Sequence, residues 1–284
     1  MKKVHPEVRD WLINNQMGDV TAADPVSGGC IHQALRIQTE SGKTYFLKQD
    51  PGKYQDIFQR EMEGLESLRI PGGPVIPEVY LVGESYLLLS DLQPAPHCKD
   101  FWQIYGWQLA VVHQQHKTKF GFDNNNYIGS NPQENTWTEN GHDFFKKYRL
   151  GNQIKWASDL SLLDGKDINK LEILLLNLPK LIPEQPASLL HGDLWSGNLT
   201  TDSDGKPALI DPAVYYGWAE ADLAMTDLFG RYPDEFYLAY TEINPLEKGY
   251  RSRFPLYNLY HLINHLNLFG RGYLTQIRNI LDHY

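Results

Sequence analysis

An Asp, four residues, an Asn, and later a second Asp after an apolar run make up His191-Gly-Asp-Leu-Trp-Ser-Gly-Asn198 and Ile210-Asp211-Pro212. Phosphoryl transfer from a magnesium nucleotide to an alcohol requires such a set of groups. ATP arrives as a magnesium complex, so hard oxygen ligands must hold the metal while a separate carboxylate takes the proton of the attacking hydroxyl. Asp193 is the candidate base, and Asn198 with Asp211 are the candidate metal ligands. Between them Thr201-Asp-Ser-Asp-Gly205 ends in Asp-Gly, a hairpin signal, and a hairpin there folds Asn198 back beside Asp211. A second reading needs no function: His191 and Asp193 merely cap a turn. The residues upstream weigh between the two.

Upstream, Thr44-Tyr-Phe-Leu-Lys48 is a bulky, β-prone run that ends on a lysine. Lys48 is either an edge-strand lysine or a phosphate ligand aimed into a cleft. The next helix, predicted over about 54–69, carries an apolar stripe of Phe58, Met62, Leu65 and Leu68. Glu61 flanks that stripe, where it can hold Lys48 toward the phosphates or lie in solvent. Ahead of both, Gly28 and Gly29 sit in a loop between strands whose backbone N–H groups could cover a triphosphate; a plain hairpin turn fits the same pair. Cys30 follows them. It is a candidate redox site on a covering loop, or a small residue that fits a tight turn.

The elements that would position these groups fall into two parts. An amphipathic helix over residues 4–17, with Gly18 to end it, precedes strands at 20–26, 35–39 and 44–48, the 54–69 helix, and strands at 79–83 and 86–90. This predicts a five-stranded antiparallel sheet with a helix. The stretch from Asp91 to Pro96 reads as a linker stiffened by two prolines. It divides a smaller lobe over 1–92 from a mainly helical lobe over 93–284, and a nucleotide would sit between them. The fold class is α+β. In the second lobe, helices are expected over 101–116, 142–163, 167–177 and from about 220, with two or three more in the last fifty residues. The Asn- and Gly-rich stretch 120–137 reads as a long ordered loop. His113 and His116 lack a third partner for a metal. Glu220 and Asp222 suit a helix N-terminus through the dipole.

Composition narrows the classes. With 26 Lys plus Arg against 35 Asp plus Glu, the net charge of −9 argues against a nucleic-acid partner. No apolar run suits a signal peptide or a membrane span, so no membrane partner and a cytoplasmic location are expected. Two cysteines, Cys30 and Cys98, are too few for a disulfide framework.

The whole resembles the fructosamine kinase (ketosamine kinase) family, a branch of the protein-kinase-like fold close to the aminoglycoside phosphotransferases. The resemblance runs from about Gly28 to Gly270. It is carried by Tyr45-Phe-Leu-Lys48, Phe58-Gln-Arg-Glu61, Phe120-Gly-Phe122, Tyr127-Ile-Gly129, Asn135-Thr-Trp137, Arg149-Leu150, the catalytic-loop octapeptide with Leu-Trp-Ser inside it, Asp211-Pro-Ala213, and Glu220 with Asp222-Leu-Ala-Met225. One departure concerns the acceptor side: the family often has Trp before Phe-Phe, and here Asn140-Gly-His-Asp143 has none. The resemblance implies ATP and Mg²⁺ as cofactors and ketosamines as acceptors, ribulosamine and erythrulosamine ahead of fructosamine. Phosphorylation at the sugar 3-hydroxyl, free or on a protein, would promote deglycation. It also implies Asp193 as base, Asn198 and Asp211 on magnesium, and Lys48 on phosphates with Glu61 as its partner. The Ser90 carbonyl and Leu92 amide would meet adenine with Leu89 behind it, and Trp195 and Glu220 would face the acceptor. A monomer or a dimer linked through Cys30 is expected. Two other readings remain: a kinase of the same fold acting on an aminoglycoside, choline or similar alcohol, and a non-catalytic nucleotide-binding protein.

Overall fold

The computed structural model describes residues 4–26, 33–50 and 56–284. Helix α1 (Pro6–Asn14) starts on a proline, whose missing N–H costs nothing at a helix N-terminus. It ends earlier than the expected 4–17, because the chain turns through Asn15 and Gln16, the latter at φ 62°, before reaching Gly18. Strands β1 (Val20–Pro25), β2 (Gln33–Thr39) and β3 (Thr44–Gln49) precede helix α2 (Ile57–Leu68), and β4 (Val79–Gly83) and β5 (Tyr86–Ser90) follow it. They form one five-stranded antiparallel sheet in the order β1-β2-β3-β5-β4.

The period of two along β3 decides what faces the cleft. Tyr45 and Leu47 join Leu35, Ile37 and Leu88 in a cluster that Val8 and Leu12 of α1 cover from outside. Each such aliphatic side chain contributes roughly 1.5–3 kcal/mol when fully buried. Phe46 and Lys48 therefore point the other way, toward α2, whose Phe58, Leu65 and Leu68 pack with Leu87 and Leu89.

After β5 an irregular stretch leads to helix α3 (Phe101–His113) and the short strand β6 (His116–Lys117). Residues 120–137, expected to lack regular structure, hold a hairpin of β7 (Asn126–Ile128) and β8 (Asn131–Gln133). Its strands are three residues each and rich in Asn, so no alternation announces them. Helix α4 (Gly141–Phe144) runs through a π-helical turn (Phe145–Gly151) into α5 (Asn152–Asp159). Helix α6 (Gly165–Leu181) outlasts the expected 167–177, because Asp164 and Asp167 build a capping box at its start and Pro179 falls in its final turn. Strands β9 (Ala187–Leu190), β10 (Leu199–Thr201), β11 (Pro207–Leu209) and β12 (Tyr215–Gly217) flank the segments that hold Asp193, Asn198 and Asp211. Helices α7 (Ala219–Leu228), α8 (Asp234–Ile243), α9 (Tyr250–Phe269) and α10 (Leu274–Leu281) complete the chain. Among the described residues no helix is long and apolar enough to cross a membrane.

Candidate active site

The hairpin signal at Asp204-Gly205 is realised: β10 and β11 pair, with Leu199 opposite Leu209. The pairing sets Asn198 beside Asp211, and Ile210 N–H donates to the Asn198 carbonyl at 3.1 Å. Asn198 Nδ2 then donates to the Asp193 carbonyl (2.8 Å), to Asp193 Oδ2 (3.1 Å) and to the Asp211 carbonyl (3.4 Å). Gly192 makes the bend before Asp193 at φ 82°, and a Cβ there would lie 2.0 Å from the Ala213 carbonyl oxygen, so only glycine fits. His191 closes the same turn. Its Nε2–H donates to the Ile210 carbonyl (2.9 Å), its Nδ1 accepts from Asp193 N–H (3.3 Å), and burial lowers its pKa, which keeps the ring neutral.

From the sheet side, Lys48 Nζ donates to Glu61 Oε1 at 2.6 Å and also to Asp211 Oδ1. Burial alone would lower the lysine's pKa, but the Asp211 and Glu61 carboxylates raise it, so the ammonium is held charged between them. Asp211 adopts φ 56°, a left-handed conformation uncommon for a residue with a side chain. At Asp193 burial favours the neutral form. Removal from bulk water pushes its carboxyl up to about 7; the Asn198 hydrogen bond opposes the rise, and the charges of Asp211 and Asp222 add to it. A carboxylate tuned near neutral pH is what proton abstraction from a hydroxyl calls for.

These groups line one cavity of about 450 Å³ between the sheet and the helical half. Leu89, Ser90 and Leu92 form part of one wall, and Asp193, Trp195, Asn198 and Asp211 part of another. The Trp195 indole lies over Gly197, where a Cβ would come within 2.3 Å of the ring. Trp195 meets Phe229 edge-on, and Phe229 contacts His265, which contacts Phe269.

Glu220 is a correction. Its carboxylate is fully buried, pairs with both Arg253 Nε and Nη2, and accepts from Tyr257 OH at 3.0 Å. It does not line the cavity, so its carboxylate does not face an acceptor there. Part of the cavity wall comes from α9, through His265, Leu268 and Phe269, which the sequence placed only within the helices of the last fifty residues. Gly28, Gly29 and Cys30 lie outside the described residues.

Asp222 does more than sit at a helix N-terminus. It is almost fully buried; Oδ2 accepts from His191 N–H (2.7 Å) and Oδ1 from Gly192 N–H (2.9 Å). His113 Nε2 donates to it at 3.2 Å, while Tyr240 OH engages the other ring nitrogen at 2.8 Å. Burial opposes its charge, but the hydrogen bonds from His113 and from the Gly192 amide hold its carboxyl below the ordinary value. Both ring nitrogens of His113 are thus engaged by Asp222 and Tyr240.

The chain is similar to known proteins over nearly its whole length. The fructosamine kinase family model matches residues 6–284. A "Probable ketoamine kinase" of Synechocystis is 39% identical, over 90% of this chain and 88% of its own. The chloroplastic protein-ribulosamine 3-kinase of Arabidopsis thaliana is 36% identical, over 98% and 87%. The crystal structure of a Thermobifida fusca protein provisionally named fructosamine-3-kinase superposes with a TM-score of 0.86 at 31% identity, covering 93% of each chain. A model matched from the first helix to the last residue, and relatives this similar over nearly their full length, leave one conclusion: the chain belongs to the fructosamine kinase family.

Proposed function

We propose that the chain is an ATP-dependent, magnesium-dependent kinase of the sugar 3-hydroxyl of ketosamines: ribulosamine, erythrulosamine or fructosamine, free or on a protein. The phosphorylated sugar then releases the amine more readily, which amounts to deglycation. The observation that carries the reading is the convergence of Lys48, Glu61, Asp193, Asn198 and Asp211 at one cavity, in hydrogen-bonding geometry, from elements spread over most of the chain. We take the lobes as 1–92 and 93–284, with the nucleotide between them and the reaction in the cytoplasm.

The residues fit a magnesium nucleotide. Asn198 uses its amide nitrogen on Asp193 and Asp211, which leaves its oxygen for a cation; the second carboxylate oxygen of Asp211 has no protein partner among the described residues. Two oxygen donors suit an ion that takes its other ligands from phosphates and water. Among the described residues no three His, Cys, Asp or Glu side chains could hold a metal by themselves. Bound magnesium would neutralise charge on the phosphates. Lys48, steadied by Glu61, would hold the phosphates from the sheet side. The Leu92 N–H donates to no protein group among the described residues, and with the Ser90 carbonyl it would meet adenine against Leu89. Asp193 would accept the proton of the sugar hydroxyl as its oxygen attacks the γ-phosphorus and ADP leaves.

The test is an acceptor panel read by ATP consumption: synthetic ribulosamines and fructosamines against free ketoses, aminoglycosides and choline. Turnover confined to the last two would sink the ketosamine reading while leaving the kinase intact. Trp195→Ala is expected to raise KM for the ketosamine by about 3- to 10-fold, the loss of one aromatic face against a sugar, with KM for ATP changed by less than about twofold. Equal losses for both substrates, together with a lower melting temperature, would assign the indole to packing.

A further inference from the structure

Among the described residues Arg149 is the largest fully buried side chain, yet no carboxylate there pairs with it. Its guanidinium lies 3.8 Å from the Tyr215 ring centre and 4.5 Å from that of Phe144. Nη1 donates to the Glu134 carbonyl (2.8 Å), Nη2 donates to Asn135 Oδ1 (2.6 Å), and Nε has no partner. A cation removed from water without a counter-charge weakens a fold, so its retention asks for a reason in what its geometry organises.

The hydrogen bonds running from Arg149 lead to the chain that follows Asp211. Asn135 Nδ2 donates to Asn126 Oδ1 at 2.8 Å, and Asn126 Nδ2 donates to the Val214 carbonyl at 2.8 Å. Gln133 Nε2 donates to the same Asn126 Oδ1 (2.7 Å) and to the Ala213 carbonyl (3.0 Å), while its own oxygen accepts from Tyr260 OH (2.6 Å). Asn126, Gln133 and Asn135 are all buried. On its other side Ala213 N–H donates to the His191 carbonyl at 2.8 Å. The peptide groups just after Asp211 are therefore held both by the catalytic loop and by the β7–β8 hairpin. Asp211 sits in a left-handed conformation, which persists only where its surroundings over-determine it.

We propose that Arg149, Asn135, Asn126 and Gln133 are positioning residues for Asp211. The arginine fixes the amide orientations of the relay, and the relay holds the backbone at Ala213 and Val214, so that the Asp211 carboxylate meets the metal in place. The inference rests on the reading of Asp211 as a metal ligand. The relay explains why the charge has an amide rather than a carboxylate for a partner. A carboxylate at position 135 would satisfy Arg149 but could not donate onward to Asn126.

That difference supplies the test. Mn²⁺ binding to the full chain with saturating ADP is followed by the electron paramagnetic resonance of the free ion, alongside thermal unfolding, for wild type, Asn135→Asp, Gln133→Met and Asp211→Asn. Asn135→Asp gives Arg149 the anion it lacks and removes the donor that reaches Asn126 and the Asn124 carbonyl, so it is expected to stay folded with a melting temperature near that of wild type and yet to bind Mn²⁺ roughly 10- to 100-fold more weakly, the usual scale for losing an outer support of a metal ligand. Gln133→Met is expected to weaken Mn²⁺ on the same scale through loss of the bond to Ala213. Asp211→Asn is expected to weaken it at least as much. Wild-type Mn²⁺ affinity in folded Asn135→Asp and Gln133→Met, with Asp211→Asn impaired, overturns the positioning role alone. Unchanged affinity in Asp211→Asn overturns the metal-ligand reading and this inference with it. No acceptor is present, so the outcome does not depend on which alcohol the kinase uses.

Discussion

Asp193→Asn is expected to lower kcat by a factor on the order of 10² to 10⁴ while leaving the affinity for magnesium-ATP nearly unchanged. The substitution keeps the shape of the side chain and removes only its ability to take a proton, a duty confined to the transition state. Two further readouts separate it from a general disturbance. Wild-type kcat/KM should rise with pH along an acid limb as Asp193 loses its proton, with a midpoint at or below about 7, since bound cations favour the carboxylate. The variant should lack that limb. For the nucleotide-free protein the stability effect has the opposite sense. A carboxyl raised on folding contributes stability in full below its ordinary value of 3.8, and that contribution is lost as pH rises to about 7. Asp193→Asn should flatten that decline. Near-normal turnover in the variant, with the acid limb retained, would remove Asp193 from the role of base.

What was legible in the sequence had local causes. Lys48 faces the cleft because a strand alternates, and Tyr45 and Leu47 must take the other face. Glu61 reaches it because the apolar stripe of α2 fixes the rotation of that helix. Asn198 meets Asp211 because an Asp-Gly turn between two short strands leaves one register. What stayed hidden depends on contacts between distant parts of the chain. Local dipole reasoning placed Glu220 at a helix start but could not see Arg253, a full helix away, whose guanidinium buries it. Nothing near residue 149 announces that its charge will lie between Phe144 and Tyr215. The part of the cavity wall on α9 stayed hidden for a related reason. That helix is buried on most of its faces, and only its packing decides which residues reach the cavity.

Asp222 combines both lessons and leads to the second large effect. Its carboxylate receives the backbone N–H groups of His191 and Gly192, the two residues that aim Asp193, and it does so from 31 and 30 positions away. Asp222→Ala leaves those two donors and the His113 Nε2–H without an acceptor in a dry site. The expected loss is about 3–5 kcal/mol of stability, as for breaking a buried charged pair, or on the order of 10 °C in melting temperature. Catalysis should suffer separately. Asp222 does not line the cavity, so substrate contacts remain, but a catalytic loop that shifts by about 1 Å can cost about 10²-fold in rate. kcat measured well below the variant's melting point should therefore fall far more than the unfolded fraction explains. The acid side of the stability curve gives an independent check. A carboxyl lowered on folding contributes stability above its ordinary value of 3.8 and loses it as pH falls through the lower folded value. Wild type should lose stability steeply there, and Asp222→Ala less so. If the variant melts within about 2 °C of wild type and keeps kcat within about threefold, the catalytic loop holds its shape without this carboxylate, and the strain must be carried by Gly192 and the His191–Ile210 bond alone.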